Sequence, residues 1–147
     1  MRVGFYLAAT QPVELVLPQV ARAALRAGQR MLVVGDADLL RRLDQALWDF
    51  APEEFLAHGL AGQAGQAHDA RQPILLAQDC VGPNGASLVA LADGCWREEA
   101  AGFERAMLFF DEGGRAASRA LWKDLRGRDG IALEFHEHDG TRWQSKG

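Results

Sequence analysis

The chain has 147 residues, of which 48% are hydrophobic and 24% are charged, and its formal net charge at pH 7 is −4. This composition predicts a single globular domain over residues 1–147, with no apolar run long enough to cross a membrane. The slight acidity argues against non-specific DNA binding by the whole surface, but it leaves room for a local basic patch. Cys80 and Cys95 lack metal-ligand spacing and favour a reduced, cytoplasmic protein over a disulfide framework.

The first part of the chain predicts a β-α-β unit. Residues 3–8 and 30–35 are short apolar runs typical of strands, and the second run suits a parallel strand buried on both faces. Residues 13–27 between them have a helical pattern, in which Pro18 is expected to introduce a kink. Gly28 is well placed to cap the end of this helix.

A second helix is predicted over residues 37–49, with Asp36 or Asp38 as its N-terminal cap. Apolar residues at helical spacing form its buried face: Leu39, Leu40, Leu43, Ala46 and Leu47. Trp48 is out of phase with them. The pattern therefore places an indole on the side that should face solvent, unless the following loop covers it.

The middle of the chain has weaker signals. Residues 59–70 are rich in Gly, Ala, Gln and His without periodicity, and they predict a mobile loop. Residues 73–78 predict a strand and residues 81–85 a turn. The apolar run 87–92 fits either a strand or a helix, and residues 94–105 predict an irregular helical connection.

The last part of the chain predicts a strand, a helix and a second strand. The strands are predicted over residues 106–110 and 131–135, and the helix lies within residues 113–130. Residues 136–147 are predicted to be a polar tail. Strands that alternate with helices in this way indicate an α/β protein, in which a mostly parallel sheet is covered by helices on both faces.

The helix within residues 113–130 is the most informative element. At 3.6 residues per turn, Lys123 lies at the edge of a narrow stripe formed by Arg115, Arg119, Trp122 and Arg126. The opposite side carries Ala117, Leu121 and Leu125, which are expected to pack on the sheet. Basic residues alone are typical of a solvated helix face. The tryptophan favours a binding surface for an acidic partner with an apolar anchor, because indole is costly to expose and Trp and Arg are enriched at interfaces.

The sequence contains no convincing catalytic motif. No strand is followed by a phosphate-binding loop, and the glycines of residues 59–65 have the wrong spacing for a dinucleotide fingerprint. His136 and His138 share a face, but no further ligands are spaced to complete a metal site. Asp111 and Glu112 follow a strand, where α/β enzymes keep catalytic groups, yet their position before a helix explains them equally well. We therefore expect no enzyme activity, no metal and no cofactor.

Several short segments form an ordered pattern: residues 5–7, 27–33, 43–48, 55–62 and 103–105, followed by Arg119, Trp122, Lys123 and Arg126. Their order and spacing resemble the chi subunit family of the bacterial DNA polymerase III holoenzyme, which is part of the clamp-loader complex. The resemblance covers nearly the whole chain. It implies a Rossmann-like, three-layer α/β fold without a working nucleotide site, and it favours a strand for residues 87–92.

The resemblance also implies a non-catalytic adaptor with two partners. One partner is the psi subunit, which tethers chi to the clamp loader, and the implied contact lies near Phe55. The alternative for Phe55 is that it packs into the core. The other partner is the acidic C-terminal tail of single-stranded DNA-binding protein, which ends in Phe. The residues implied for tail binding are Trp48, Arg115, Arg119, Trp122, Lys123 and Arg126. We expect the terminal Phe to insert against Trp48 and Trp122, with its carboxylate on Arg119.

Two other functions fit the sequence. One is a small α/β nucleotide-binding enzyme, against which the missing phosphate loop weighs. The other is direct binding of single-stranded DNA, since tryptophans and cations on the basic helix can stack bases and hold phosphates. Because the chain is acidic overall and the basic patch is narrow, we do not expect direct DNA binding. No membrane partner is expected either.

Overall fold

The computed structural model describes residues 1–54, 56–63 and 65–146. Its strands and helices are, in chain order, β1 Arg2–Leu7, α1 Val13–Arg26, β2 Met31–Val34, α2 Ala37–Phe50, β3 His58–Leu60, α3 Gln66–Asp69, β4 Ile74–Ala77, β5 Leu88–Leu91, β6 Arg105–Phe110, α4 Arg115–Arg126, β7 Ala132–His138 and β8 Trp143–Ser145. Two 3₁₀ turns, Glu98–Gly102 and Glu112–Gly114, precede β6 and α4. The strand predicted over residues 87–92 is confirmed as β5.

The strands of the described part of the chain form one open sheet in the order β3-β4-β2-β5-β6-β1-β7-β8. Neighbouring strands are parallel, except that β8 runs antiparallel to β7 at the edge of the sheet. The connection through α1 joins β1 to β2 across two intervening strands. This arrangement confirms the predicted Rossmann-like α/β fold with a mostly parallel sheet.

Buried side chains of the strands alternate between two apolar clusters, as the period of two along a strand requires. Tyr6, Val33 and Phe109 belong to the cluster that contains the apolar side chains of α1 and α2. Phe5 and Leu108 belong to the other cluster, as do the apolar side chains of α4. We call the two sides of the sheet the α1/α2 face and the α4 face.

Local sequence signals determine the ends of the first two helices. The Asp36 carboxylate accepts a hydrogen bond from the Leu39 N–H at 2.8 Å, so Asp36 is the cap of α2. After α1, the Gly28 N–H bonds to the Leu25 carbonyl at 3.0 Å, and the next N–H reaches back to Ala24 at 2.9 Å. Gly28 has a φ of +72°, which suits glycine in this Schellman arrangement.

The loop predicted over residues 59–70 is wrong in part. Its first two residues belong to β3, which pairs in parallel with β4. Its later residues include the helical turn α3, whose buried Asp69 accepts a hydrogen bond from the Gly62 N–H at 3.0 Å. Both interactions join residues that are separated in the chain, so the local composition of the segment could not reveal them.

The polar tail predicted over residues 136–147 is also wrong. His136 and His138 complete β7, and β8 folds back on them. The Trp143 ring lies edge-on to Tyr6, with centroids 5.1 Å apart, and its indole N–H donates to the Val16 carbonyl at 3.2 Å. The hairpin was not predicted because its composition is polar. Its apolar contact with the α1/α2 face comes mainly from Trp143.

We predict that Trp143→Ala lowers the free energy of unfolding by about 3 kcal/mol, because the half-buried ring loses its packing on the sheet. Arg142→Ala, at an exposed neighbouring position, is expected to change it by less than about 0.5 kcal/mol. Urea denaturation followed by circular dichroism measures both values. Equal, small effects of the two substitutions would contradict the packing of this hairpin.

Candidate partner-binding site

A pocket of about 290 Å³ lies between α4 and the α4 face of the sheet. It is lined by four aromatic side chains, two arginines and one serine: Phe5, Phe110, Trp122, Phe135, Arg115, Arg119 and Ser118. The serine is buried, while both arginines reach solvent. The pocket therefore combines an aromatic floor with positive charge.

The floor depends on the position of β1 between β6 and β7. Phe5 pairs directly with Phe135 of β7, and Phe110 at the end of β6 lies opposite Leu7 of β1. These positions share the α4 face because alternate residues of a strand point to the same side. The Phe5 and Phe110 rings meet edge-on at 6.4 Å between centroids.

Trp122 lies against the sheet, which corrects its predicted place on the outward face of the helix. Its half-buried ring packs edge-on against Phe5 at 5.0 Å between centroids. Ser118 and Leu125 are buried on the same side of α4, whereas Ala117, expected to face the sheet, is exposed. The physical reason is the larger apolar area that indole removes from water compared with a methyl group.

The cations of α4 differ in their ion pairs. Arg115 donates from Nε and Nη2 to the two carboxylate oxygens of Glu112, at 2.9 Å each. Among the residues that the structure describes, no carboxylate lies within ion-pair distance of Arg119. Lys123 and Arg126 are exposed at the surface, outside the pocket lining. Arg119 is therefore the arginine of the pocket that can receive a carboxylate from a ligand.

Two arginines act on the Glu112 carboxylate just before α4. The hydrogen bonds from Arg115 hold the pKa of the Glu112 carboxyl below its usual value, and the charge of Arg119 acts in the same direction. A carboxylate brought to this surface is therefore stabilised in its ionised form.

We predict that Arg115→Ala raises the pKa of Glu112 toward its ordinary value of 4.5, because the hydrogen bonds that favour its charged form are lost. Since this pKa is lowered in the folded protein, the pair stabilises the fold above the ordinary pKa, and the contribution disappears as pH falls through the lowered value. Carboxyl ¹³C NMR titration measures the shift. Glu98, held by Arg128, serves as the unaffected control. No change at Glu112 would contradict the geometry.

Trp48 lies away from the pocket. It belongs to α2, is 44% exposed, and packs on the imidazole of His58 at 4.6 Å between ring centroids. His58 is in β3, which lies five strands from β1, a distance of about 24 Å at about 4.8 Å per strand. Moreover, α2 covers the α1/α2 face. The structure therefore does not bring Trp48 and Trp122 to one site, and a single ring in the pocket does not reach Trp48. Phe55 lies outside the described residues.

At the carboxyl ends of the strands, where α/β folds bind nucleotides, a second pocket of about 410 Å³ has an acidic lining. Its charged residues are Glu14, Asp93, Asp111 and Arg42, and the arginine is 3.4 Å from Glu14. The Asp111 carboxylate accepts a hydrogen bond from the Gly114 N–H at 3.0 Å, so it caps the turn before α4. This lining disfavours a phosphate, because carboxylates repel it.

His136 of β7 packs against other side chains of the sheet. His136 stacks on Tyr6 at 4.4 Å between ring centroids and lies 3.9 Å from the Glu134 carboxylate. Within residues 1–54, 56–63 and 65–146, no group of three or more His, Cys, Asp or Glu side chains is arranged to hold a metal. None of the helices in these ranges is both long and apolar enough to span a membrane.

Four residues of the pocket were missed by the sequence predictions: Phe5, Phe110, Ser118 and Phe135. The three phenylalanines occur in predicted strands, and alternation assigns each of them a face. The alternation does not say which strands are neighbours, so it could not bring the three together. Ser118 was missed because a small polar residue on a helix carries no signal of burial.

The comparison with curated proteins gives no match. The family model of the DNA polymerase III chi subunit, HolC, matches residues 1–134 of the 147-residue chain. The matched region contains all residues that line the aromatic pocket except Phe135, and it ends within β7 before the hairpin with Trp143. The chain therefore belongs to the family of DNA polymerase III chi subunits, which are non-catalytic accessory subunits of that polymerase.

Proposed function

We propose that this chi family protein is a cytoplasmic adaptor of DNA replication. It links the clamp-loader complex, through the psi subunit, to the acidic C-terminal tail of single-stranded DNA-binding protein. The observation that carries the proposal is the pocket under α4, where an aromatic floor lies beside Arg119, whose guanidinium has no carboxylate partner among the described residues. A peptide that ends in Phe offers a ring and a carboxylate on one residue, which matches this combination.

The proposed binding mode follows from the chemistry of the pocket. The terminal ring packs edge-on against Phe5 and Trp122, which already adopt that geometry toward each other. The planar guanidinium of Arg119 forms two parallel hydrogen bonds to the α-carboxylate, which a lysine cannot reproduce. Lys123 and Arg126 attract the preceding acidic residues through longer, screened contacts. The ring and α-carboxylate of the terminal Phe are thus bound at the centre of the site, and the preceding acidic residues of the peptide are bound at its rim.

We predict that Arg119→Ala weakens binding of a tail peptide by about 2 kcal/mol or more, since it removes a central contact. Lys123→Ala is expected to cost about 1 kcal/mol or less and mainly to reduce the dependence on salt. Isothermal titration calorimetry of the full chain at two salt concentrations measures both effects. Arg71→Ala, an exposed cation that lies outside the pocket, is the charge-matched control and is expected to have no effect.

Filling the pocket provides an independent test. Ser118→Met adds apolar volume from a buried position on α4, and it is expected to abolish peptide binding while the circular dichroism spectrum is retained. Trp122→Ala is a poorer test, because this ring also packs on Phe5.

Equal losses from all cation substitutions, including Arg71→Ala, would show a diffuse electrostatic surface. Single-stranded DNA that binds with the same dependence on Arg119 would favour the DNA-binding alternative.

The psi contact requires a second surface, because an adaptor must hold both partners at the same time. Trp48 is on the face opposite the pocket, near the β3 edge, and it precedes Phe55 by seven residues. A large exposed indole is typical of a contact with a partner. We therefore assign Trp48 to the psi surface together with Phe55, rather than to the tail pocket.

We predict that Trp48→Ala weakens psi binding by about 2 kcal/mol and leaves the affinity for the tail peptide unchanged. Arg119→Ala is expected to have the reverse effects, because the two surfaces are on opposite faces of the sheet. Titration of each variant with psi and with the peptide measures all four affinities. Leu15→Ala, at another exposed apolar position on the α1/α2 side, is the control. If Trp48→Ala weakens tail binding in a fully folded protein, the separation of the surfaces is refuted.

A further inference from the structure

Glu112 lies just before α4 and already makes with Arg115 the kind of contact that a ligand carboxylate would make. Both of its oxygens accept hydrogen bonds from Arg115, at 2.9 Å each. This paired geometry is the strongest that an arginine offers to a carboxylate. Arg115 and Arg119 both line the pocket. Within the ranges that the structure describes, Arg115 is paired with an acidic side chain of the chain itself, and Arg119 has no carboxylate within ion-pair distance.

The contact can be exchanged for a contact with a ligand. The side chains of Glu112 and Arg115 are 55% and 36% exposed, and exposed ion pairs contribute little to folding. Glu112 belongs to the 3₁₀ turn that precedes α4 and is not part of the pocket lining. Its carboxylate can therefore leave Arg115 without changing the aromatic floor of the pocket. Arg115 would then be free to bind a second acidic group.

We propose that Glu112 is an internal competitor that occupies Arg115 in the free protein and thereby limits the affinity of the pocket for ligands with several carboxylates. This inference rests on the proposed function of the pocket. In the free protein, Glu112 occupies Arg115, and a ligand with one carboxylate uses Arg119 alone. A peptide with a terminal carboxylate and additional acidic side chains displaces Glu112 and binds both arginines. The preferred ligand is thus an acidic peptide with a C-terminal aromatic residue. Displacement of Glu112 lowers the affinity for that peptide, whereas a peptide with a single negative charge leaves Glu112 in place.

The alternative role for Glu112 is to position Arg115 over the pocket. The two roles predict opposite effects of Glu112→Gln, which keeps the length of the side chain and an acceptor oxygen but removes its charge. If Glu112 competes with the ligand, the substitution strengthens binding of an acidic peptide. If Glu112 positions Arg115, the substitution weakens it. The sign of the change therefore decides between the two roles.

The experiment uses the full chain and two synthetic peptides that end in Phe, one with aspartates upstream and one with asparagines at those positions. Glu112→Gln is expected to tighten binding of the acidic peptide by roughly three- to tenfold at low salt and to change binding of the neutral peptide much less. The matched control is Asp124→Asn. It makes the same change in net charge on α4, where Asp124 pairs with Arg128 outside the pocket lining.

A double-mutant cycle shows whether the effect passes through Arg115. In an Arg115→Ala background, Glu112→Gln is expected to have no more effect than Asp124→Asn, because there is no longer an arginine to release. The inference is overturned if Glu112→Gln weakens binding, matches Asp124→Asn, or acts equally in both backgrounds. If the wild-type chain binds neither peptide, the proposed function itself fails, and this inference fails with it.

Discussion

β1 pairs in parallel with β6 on one side and with β7 on the other, and the register of these two pairings determines the surroundings of the aromatic pocket and of the Trp143 hairpin. Because neighbouring residues of a strand point to opposite faces, Phe5 contributes to the floor of the pocket while Tyr6 supports Trp143 on the other side. One buried strand thus provides an aromatic platform on both faces. A shift of β1 by one residue would move Phe5 and Tyr6 to the opposite faces, away from Trp122 and Trp143.

The fold was largely predictable because its signals are local. Strands buried on both faces appear as short continuous apolar runs, and caps such as Asp36 and Gly28 act within a few residues of their helix ends. The hairpin that contains Trp143 was not predictable, because its stability comes from contacts with Tyr6 and with α1, far away in the chain. Composition alone described the same segment as polar.

The candidate site was predictable in its residue types but not in its geometry. Helical spacing placed Arg115 and Arg119 on one side of α4, and both line the pocket, but it could not fix the rotation of the helix. That rotation depends on Trp122 packing against Phe5, a residue near the other end of the chain. Likewise, the helical pattern assigned both Trp48 and Trp122 to the solvent-facing side of an amphipathic helix. The strand order and the two faces of the sheet separate them, and neither can be derived from local periodicity.

The charge of the basic helix depends on its ion pairs as much as on its composition. Arg115 is paired with Glu112, and Arg128, just after the helix, is paired with Glu98 and Asp124. The pKa of Arg128 is raised, chiefly by the hydrogen bonds from its guanidinium to Glu98. The charge available to a partner is therefore smaller than a count of basic residues indicates, and it is concentrated beside the aromatic pocket.

Because Trp122 lies between the core and the pocket, binding of a ligand in the pocket is coupled to folding of the chain. A ligand that packs on this ring binds only the folded chain, because the pocket exists only when α4 rests on the sheet. By mass action, such a ligand at a hundred times its dissociation constant adds about 2.7 kcal/mol to the free energy of unfolding. Saturation of the pocket would thus protect α4 from local opening and from proteolysis, so a chain engaged with its partner would outlast a free chain in the same cell.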